Sequence, residues 1–468
     1  MRYIKLAAIA AFSLMILLPL AGFRFGEGIV SEIDNRKLQE NPFRPEELAK
    51  KTPLKNMIET YISDRIGFRD EMILAYTLLN DKLFDEMVHP TYRYGKDGYV
   101  FFRGMTTPVY GKYHETFADM VKQVQDYCEA RGGPFLFVFE PSKLHILNQH
   151  LPTGVHYDVR WVEDLLHALD ERGIHYVDNT VTLRQKMEEG EVVFDRQFDA
   201  GHWNELGMFY GTNSILEELH KRFPSIQPND IGTFETSEAL KTSLPVSKFP
   251  IHEYVPEIAV PLEKVEDISK AYNAELERHK QFRGFGYFRN RSHGEGSTRG
   301  LVFQGSYLNK ANSKFLKYAL GEYIYVHDYQ NILELPYYFN IFKPQYVVFE
   351  VAEYTISNGY FDAKKMETLK FNPPLSSVAR EDNMQPAQHL PVEEISVQQG
   401  TALTKMIWKN APKGIEYAWC VMGDEYDMRP NAEGGYEVTV KNEVWQKYQN
   451  EMQIVTMDNG KFQLYNIK

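Results

Sequence analysis

Short uninterrupted apolar runs, each followed by a longer amphipathic stretch, set the rhythm of this chain from residue 113 onward. Helix-period segments at 114–130, 159–172, 180–188 and 205–223 alternate with strand-like runs at 134–139 and 174–178. Gly132-Gly133, Gly173 and Pro224 supply the stops. A run apolar on both faces, such as Pro134-Phe135-Leu136-Phe137-Val138-Phe139, belongs in a parallel sheet covered by helices on both sides. The rhythm returns with strands at 301–304, 323–326 and 346–351 and helices at 309–319 and 333–342. Residues 113–369 therefore read as one α/β/α domain, and the proline-rich stretch at about 225–298 as an insertion or lid between two halves of one sheet.

Before that domain, residues 27–112 read as a helical and hairpin segment. Ile66, Ile73, Tyr76, Leu79 and Leu83 recur at helical spacing and predict one amphipathic helix over 63–87. Gly95-Lys96-Asp97-Gly98 marks a turn between two short strands. After the domain, 370–393 reads as a polar, proline-rich linker. The tail, 394–468, alternates apolar and polar residues in short runs and predicts a small antiparallel β-domain of Ig-like or carbohydrate-module type. Trp408 and Trp419 are either sugar-stacking residues of that module or part of its core.

The N-terminus sets the compartment. Arg2 and Lys5 precede an uncharged, mostly apolar run from Leu6 to Gly22. That pattern predicts an uncleaved signal anchor within 1–26, with the N-terminus in the cytoplasm and the rest translocated. No cysteine lies near residue 20, which excludes lipoprotein anchoring. Net charge is -12 with no Lys/Arg-rich run, so nucleic acid is not an expected partner. The two cysteines, Cys128 and Cys420, sit in apolar patterns and read as separate buried thiols; neither a metal site nor a cofactor is expected.

Two stretches carry candidate chemistry. Asp199-Ala200-Gly201-His202-Trp203 places a carboxylate three residues before a histidine at a helix start. Val302-Phe303-Gln304-Gly305-Ser306 runs a buried strand into a tight turn that presents a hydroxyl. Together they offer a nucleophile, Ser306, a base, His202, and an orienting acid, Asp199. Ligands of doubly wound sheets sit beyond the carboxyl ends of strands, and Ser306 lies just past one. Backbone N–H groups at Gly305 and Tyr307, with a helix opening near Asn309, are candidates to bind an oxyanion. Alternatives stay open at several positions. Asp199 is either the acid or a helix cap, and Asp195 is a rival acid. Lys143 either binds a substrate oxygen or is solvated, and Trp203 is either a sugar platform or core.

Several segments resemble one family, the SGNH-hydrolase-like proteins of polysaccharide O-acetylation (the AlgX/AlgJ, or DHHW, group). Asp34-Asn35-Arg36-Lys37-Leu38 is similar to its Glu-Asn-Arg-x-Leu motif. Tyr61-Ile62-Ser63-Asp64-Arg65-Ile66-Gly67-Phe68-Arg69-Asp70 resembles its Tyr-x-x-Asp-Arg-x-x-Phe-Arg-Asp helix. Gly95-Lys96-Asp97-Gly98-Tyr99-Val100-Phe101 resembles its hairpin, and Pro141-Ser142-Lys143 and Leu151-Pro152 the segment after the first strand. Asp199-Ala200-Gly201-His202-Trp203-Asn204-Glu205-Leu206-Gly207 looks like its Asp-Thr-His-Trp-Asn-x-x-Gly, and Val302–Tyr307 like its Val-x-Gly-Asp-Ser-Phe. Tyr325-Val326-His327 and Lys343–Glu350 fit the closing strands. Two departures stand out. The family usually has Asp-x-His where this chain has Asp-x-x-His, and its Gly-Asp before the serine is Gln304-Gly305 here.

The resemblance implies an SGNH-like α/β/α sandwich with a mostly parallel sheet in permuted order. It implies Ser306, His202 and Asp199 as catalytic residues of an extracytoplasmic O-acetyltransferase acting on an exported or cell-surface polysaccharide. It also implies a multispanning membrane-bound acyltransferase as acyl donor. An esterase, and a non-catalytic glycan-binding protein of a secretion complex, are the rival readings.

Overall fold

The computed structural model describes residues 2–467 apart from 32, 34–35, 51, 105, 246–247, 280–283, 295 and 309–312. Asp34 and Asn35 of the N-terminal motif thus lie outside the described residues. The apolar leader forms helix α1 (Arg2–Ala21), of which Tyr3–Ala21 is long and apolar enough to cross a membrane and has no part of its apolar window buried by the rest of the chain. A single N-terminal helix of this kind is consistent with a single-pass anchor or a signal.

The segment expected as one helix over 63–87 is two helices, α2 (Leu54–Arg65) and α3 (Arg69–Phe84). The corner between them has two causes. Phe68 takes a left-handed conformation, φ 60°. Gly67 presses on Gly22 so closely that a Cβ there would sit 2.5 Å from the Gly22 backbone. The fully buried Arg65 guanidinium pins the corner by donating to the carbonyls of Arg24, Gly26 and Gln39. The expected apolar face of α3 also differs from the core face. Tyr76, Leu79 and Leu83 point outward, 57%, 55% and 62% exposed, and the core contacts are made by Thr77, Leu74 and Leu78 on the other side.

The central sheet has seven strands: β1 (Phe135–Glu140), β2 (Tyr176–Asp178), β3 (Val265–Asp267), β4 (Phe285–Asn290), β5 (Arg299–Gln304), β6 (Glu322–His327) and β7 (Tyr346–Ala352). Their order is β2-β1-β7-β5-β6-β4-β3. The first five are mutually parallel, while β4 and β3 close one edge antiparallel. The stretch 225–298 is therefore more than an insertion. It contributes two edge strands, besides a long hairpin of Glu235–Ser243 and Pro250–Ala259. Every residue of β1, β6 and β7 is buried. One face packs on the helices Lys112–Glu129, Arg160–Glu171 and Leu335–Phe342 through Phe117, Trp161 and Phe349. The other packs on helix α4 (Glu205–Arg222) and on Lys314–Ala319 through Phe209, Phe315 and Tyr307. This is the SGNH-like α/β layering, with a mixed sheet.

The C-terminal region is β-rich. It holds a five-stranded and a four-stranded sheet around Met406, Trp408, Cys420 and Ile454. Residues 384–390, expected inside a linker, form a strand paired in parallel with Lys461–Ile467. Trp408 and Trp419 are 1% and 0% exposed, so they are core residues and present no face to a sugar. The sheets are tied to the α/β core at Asp427. Its carboxylate takes the Tyr127 hydroxyl at 2.5 Å and Arg131 at 3.0 Å, and its backbone exchanges hydrogen bonds with the Asn340 side chain. Removing one partner of such a buried pair leaves the other charge uncompensated. Asp427→Ala should lower the unfolding free energy by about 3 kcal/mol, measured by denaturant titration against the parent chain.

Candidate active site

The two candidate stretches meet at the carboxyl edge of the sheet. Ser306 follows β5, and the loop 195–203 precedes α4. The Ser306 hydroxyl stands 2.9 Å from His202 Nε2, and His202 Nδ1 lies 3.2 Å from both carboxylate oxygens of Asp199. Asp199 Oδ1 also accepts the backbone N–H groups of Gly201 and His202, each at 2.9 Å. The two intervening residues thus form a turn closed on the carboxylate, which is how Asp-x-x-His spacing brings acid to base. The helix cap belongs to Asn204, whose side chain accepts from Leu206 and Gly207, so Asp199 is not used as a cap. Asp195 is buried and makes no hydrogen bond to the ring, whose Nδ1 faces Asp199.

Electrostatics follow the geometry. Burial works to raise the Asp199 carboxyl, but the His202 charge and the hydrogen bonds from His202 and Gly201 outweigh it and hold it down at about 2. Burial works against the imidazolium of His202, yet Asp199, with a smaller contribution from Glu350, raises it above its ordinary 6.5. Asp195 is pushed up to about 7, first by burial and then by Glu253.

The loop is gripped from two sides. From below, the fully buried Lys143 ammonium donates to the carbonyls of Val100 at 3.0 Å, Arg196 at 3.2 Å and Asp199 at 2.7 Å. Burial pushes it down to about 8. From above, Glu253 of the long hairpin accepts the N–H groups of Arg196, Gln197 and Phe198 at 2.6–2.8 Å. Lys143 is thus a buried clamp and faces no solvent. Trp203 is 4% exposed, seated edge-on against Tyr307 and pressed on Gly207 and Gly211. Of the oxyanion candidates, the Gly305 N–H turns inward to Glu350 Oε2 at 2.5 Å. The Tyr307 side chain is fully buried and donates to the carbonyls of Gly201 and Pro141. Asn309 lies outside the described residues.

The altered turn has a physical basis. A Cβ on Gly305 would fall 1.7 Å from the Tyr329 hydroxyl, so the aspartate the family usually carries has no room. Gln304 is fully buried; its amide donates to Leu308 O at 2.7 Å, and its carbonyl side takes the Tyr323 hydroxyl. Beneath the turn lie three fully buried carboxyls, Glu140, Glu350 and Glu353. Glu353 takes Ser142 N at 2.7 Å and the Tyr157 hydroxyl at 2.9 Å, and Glu140 is held by Asn179. Burial pushes Glu350 up to about 7, and burial together with the Glu350 charge raises Glu140 well above the usual range.

Tyr354, just past β7, was not singled out by sequence reasoning. Its hydroxyl lies 2.7 Å from Ser306 Oγ and 3.4 Å from His202 Nε2. Only its place after a strand end marked it. A cleft of ≈ 330 Å³ opens over Asp199, His202 and Ser306, lined on its far wall by Lys241, Val255 and Glu257 of the hairpin.

Residues 93–248 match the model of one family, described as SGNH hydrolase-like domain, acetyltransferase AlgX. The matched stretch contains Lys143, Asp199 and His202 and ends before Ser306. No curated protein matches the chain. Among solved structures, it is similar to the O-acetyltransferase domain of Pseudomonas putida AlgJ, with 15% identity over 60% of this chain and 98% of that one, TM-score 0.41. Bacillus cereus PatB1 gives 15% identity over 59% and 98%, TM-score 0.42. Pseudomonas aeruginosa AlgX gives 13% over 78% and 90%, TM-score 0.38.

Two expectations come from this geometry. A protonated His202 cannot accept the serine proton, so acylation of Ser306 by p-nitrophenyl acetate should rise with pH through a midpoint above 6.5. Asp199→Asn removes the charge that favours the imidazolium, so the midpoint should move down while the plateau falls, read from the pH–rate profile. Gly305→Ala forces a methyl group into Tyr329. It should cost about 1–3 kcal/mol of stability, as overpacking does, and displace Ser306, seen as a lower melting temperature together with reduced probe labelling.

Proposed function

We propose that this chain is a membrane-anchored, extracytoplasmic serine O-acyltransferase that moves acetyl groups onto an exported or cell-surface polysaccharide. The observation that carries the reading is the Ser306–His202–Asp199 array, with Ser306 Oγ 2.9 Å from an imidazole nitrogen whose other nitrogen faces a carboxylate. The family match over 93–248 points to the same chemistry, acetyl transfer.

In the first half-reaction the Ser306 oxygen attacks the acyl carbonyl carbon and His202 Nε2 takes the hydroxyl proton. Asp199 keeps Nδ1 as the donor and offsets the imidazolium charge. The Tyr354 hydroxyl stands beside the attacking oxygen, 2.7 Å from Ser306 Oγ. The carbon–leaving-group bond breaks, the leaving group takes the proton from His202, and the acetyl group remains as an ester on Ser306. In the second half a sugar hydroxyl enters the cleft and gives its proton to His202. Its oxygen attacks the ester carbon, the bond to Ser306 Oγ breaks, and the proton returns to Ser306. A multispanning acyltransferase in the same membrane is the proposed source of the acetyl group.

A fluorophosphonate probe tests the array. Parent protein should be labelled at Ser306, Ser306→Ala should not be, and His202→Ala should be labelled about 10²–10⁴-fold more slowly, with melting temperatures unchanged for the serine variant. Labelling of Ser306→Ala at the parent rate would remove the enzyme reading. Unlabelled parent protein that passes acetate from p-nitrophenyl acetate only to water, and none to added polysaccharide, would make it an esterase.

A further inference from the structure

Helix α3 is apolar on the side that meets solvent. Met72, Tyr76, Leu79 and Leu83 follow one another at intervals of four, three and four residues, which places them in one stripe. They are 46%, 57%, 55% and 62% exposed. Ala75 lies within the stripe, and the flanking charges, Glu71 and Lys82, sit at one edge of it. The opposite side is already satisfied. Thr77 is fully buried there and donates to the carbonyls of Ile73 and Val88. A surface helix normally turns its polar face outward, so a stripe of this size marks an interaction surface.

Its position says what covers it. No free linker separates α3 from the end of α1. The Gly67 N–H donates to Pro19 O, in the last turn of α1, at 2.9 Å, and Arg24 N donates to Arg65 O at 2.8 Å. Gly22 and Gly67 are in backbone contact, and the Phe23 ring packs against Tyr61. The exposed apolar residues run on through the corner, with Phe68 at 46%, Ile62 at 48% and Phe25 at 83%. The stripe therefore begins where the apolar helix ends, at the level where a membrane span would leave the lipid.

We propose that the outward face of α3 rests in the lipid–water interface of the leaflet from which α1 emerges, so that a span and a surface helix hold the protein together. The proposal rests on α1 being a membrane span. In that position the exposed apolar stripe would sink into the headgroup and acyl boundary. Two points of attachment fix orientation where one span alone would leave rotation free. The Tyr94 hydroxyl bonds Asp81 of α3 at 2.7 Å, and Tyr94 belongs to the hairpin whose Val100 carbonyl binds Lys143 under the Asp199 loop. The tilt of α3 on the membrane thereby sets the direction in which the cleft opens.

Tryptophan fluorescence in lipid vesicles tests this in the full-length chain. The five native tryptophans are at most 7% exposed and sit in the folded core. Leu79→Trp and Phe12→Trp each add one reporter, in vesicles whose acyl chains are brominated near the headgroup or near the methyl end. Probe labelling of Ser306 confirms folding in each. The expected result is strong quenching of Leu79→Trp by the shallow bromine and of Phe12→Trp by the deep one. Quenching of Phe12→Trp with none of Leu79→Trp overturns the surface helix and leaves the span. Quenching of neither overturns the span and the proposal with it. Shielding of Leu79→Trp that needs an added membrane protein would assign the face to a protein partner and overturn the lipid assignment.

Discussion

A lysine ammonium sealed from water holds the candidate site together. Lys143 gives its three donors to carbonyls of Val100, Arg196 and Asp199, which belong to a hairpin and to two points of the loop that carries the acid and base. An ammonium that loses its water needs every proton matched, and here backbone oxygens do the matching. The arrangement is specific because carbonyls are fixed by chain geometry: moving the loop strands a charge. Glu253 grips the same loop from the hairpin on the other side through backbone N–H groups. The loop is thus held by its backbone, and the side chains of Asp199 and His202 are left to meet each other and Ser306.

The nucleophile is supported in a different way. Ser306 sits on a turn whose flanking residues are fixed by close neighbours. Tyr329 fills the space a side chain at 305 would need, Glu350 takes the 305 N–H, and Gln304 closes the turn onto Leu308. The buried carboxyls below the turn are costly unless hydrogen-bonded or protonated. Burial raises two of them, Glu140 and Glu350, which disfavours their charged forms. A less charged floor leaves Asp199 as the carboxylate in contact with the imidazole ring.

Much of this was legible along the chain, and the illegible parts share a cause. The continuous apolar run of β1 could only be a strand buried on both faces, and its place in a parallel sheet followed. Asp199, His202 and Ser306 stood out as candidates because their residue types and their positions at strand and helix ends coincide, and the fold brings the three together. Tyr354, Glu350 and Tyr329 were not readable, since each acts through a contact made only when distant strands come side by side. Tyr76, Leu79 and Leu83 do share one face, while Ile66, grouped with them by periodicity, falls in the corner before α3. Periodicity reports that a face is apolar, and says nothing about whether protein or something else covers it. The edge strands β3 and β4 were hidden for a related reason: they enter the sheet antiparallel, without the strand-then-helix rhythm that marks the rest.

The acid and base differ from the nucleophile in how far apart along the chain they must be brought. Asp199 and His202 are three residues apart, and their turn closes on its own hydrogen bonds. His202 and Ser306 are separated by 104 residues, and Ser306 is placed only once β5 is flanked by β6 and β7. Short loops close first and long ones late. A chain emerging N-terminus first therefore closes the Asp199–His202 turn well before Ser306 is set beside it. The Ser306 turn is complete only when residues 346–352 close the sheet around it, so an unfinished chain has the Asp199–His202 turn without its third member.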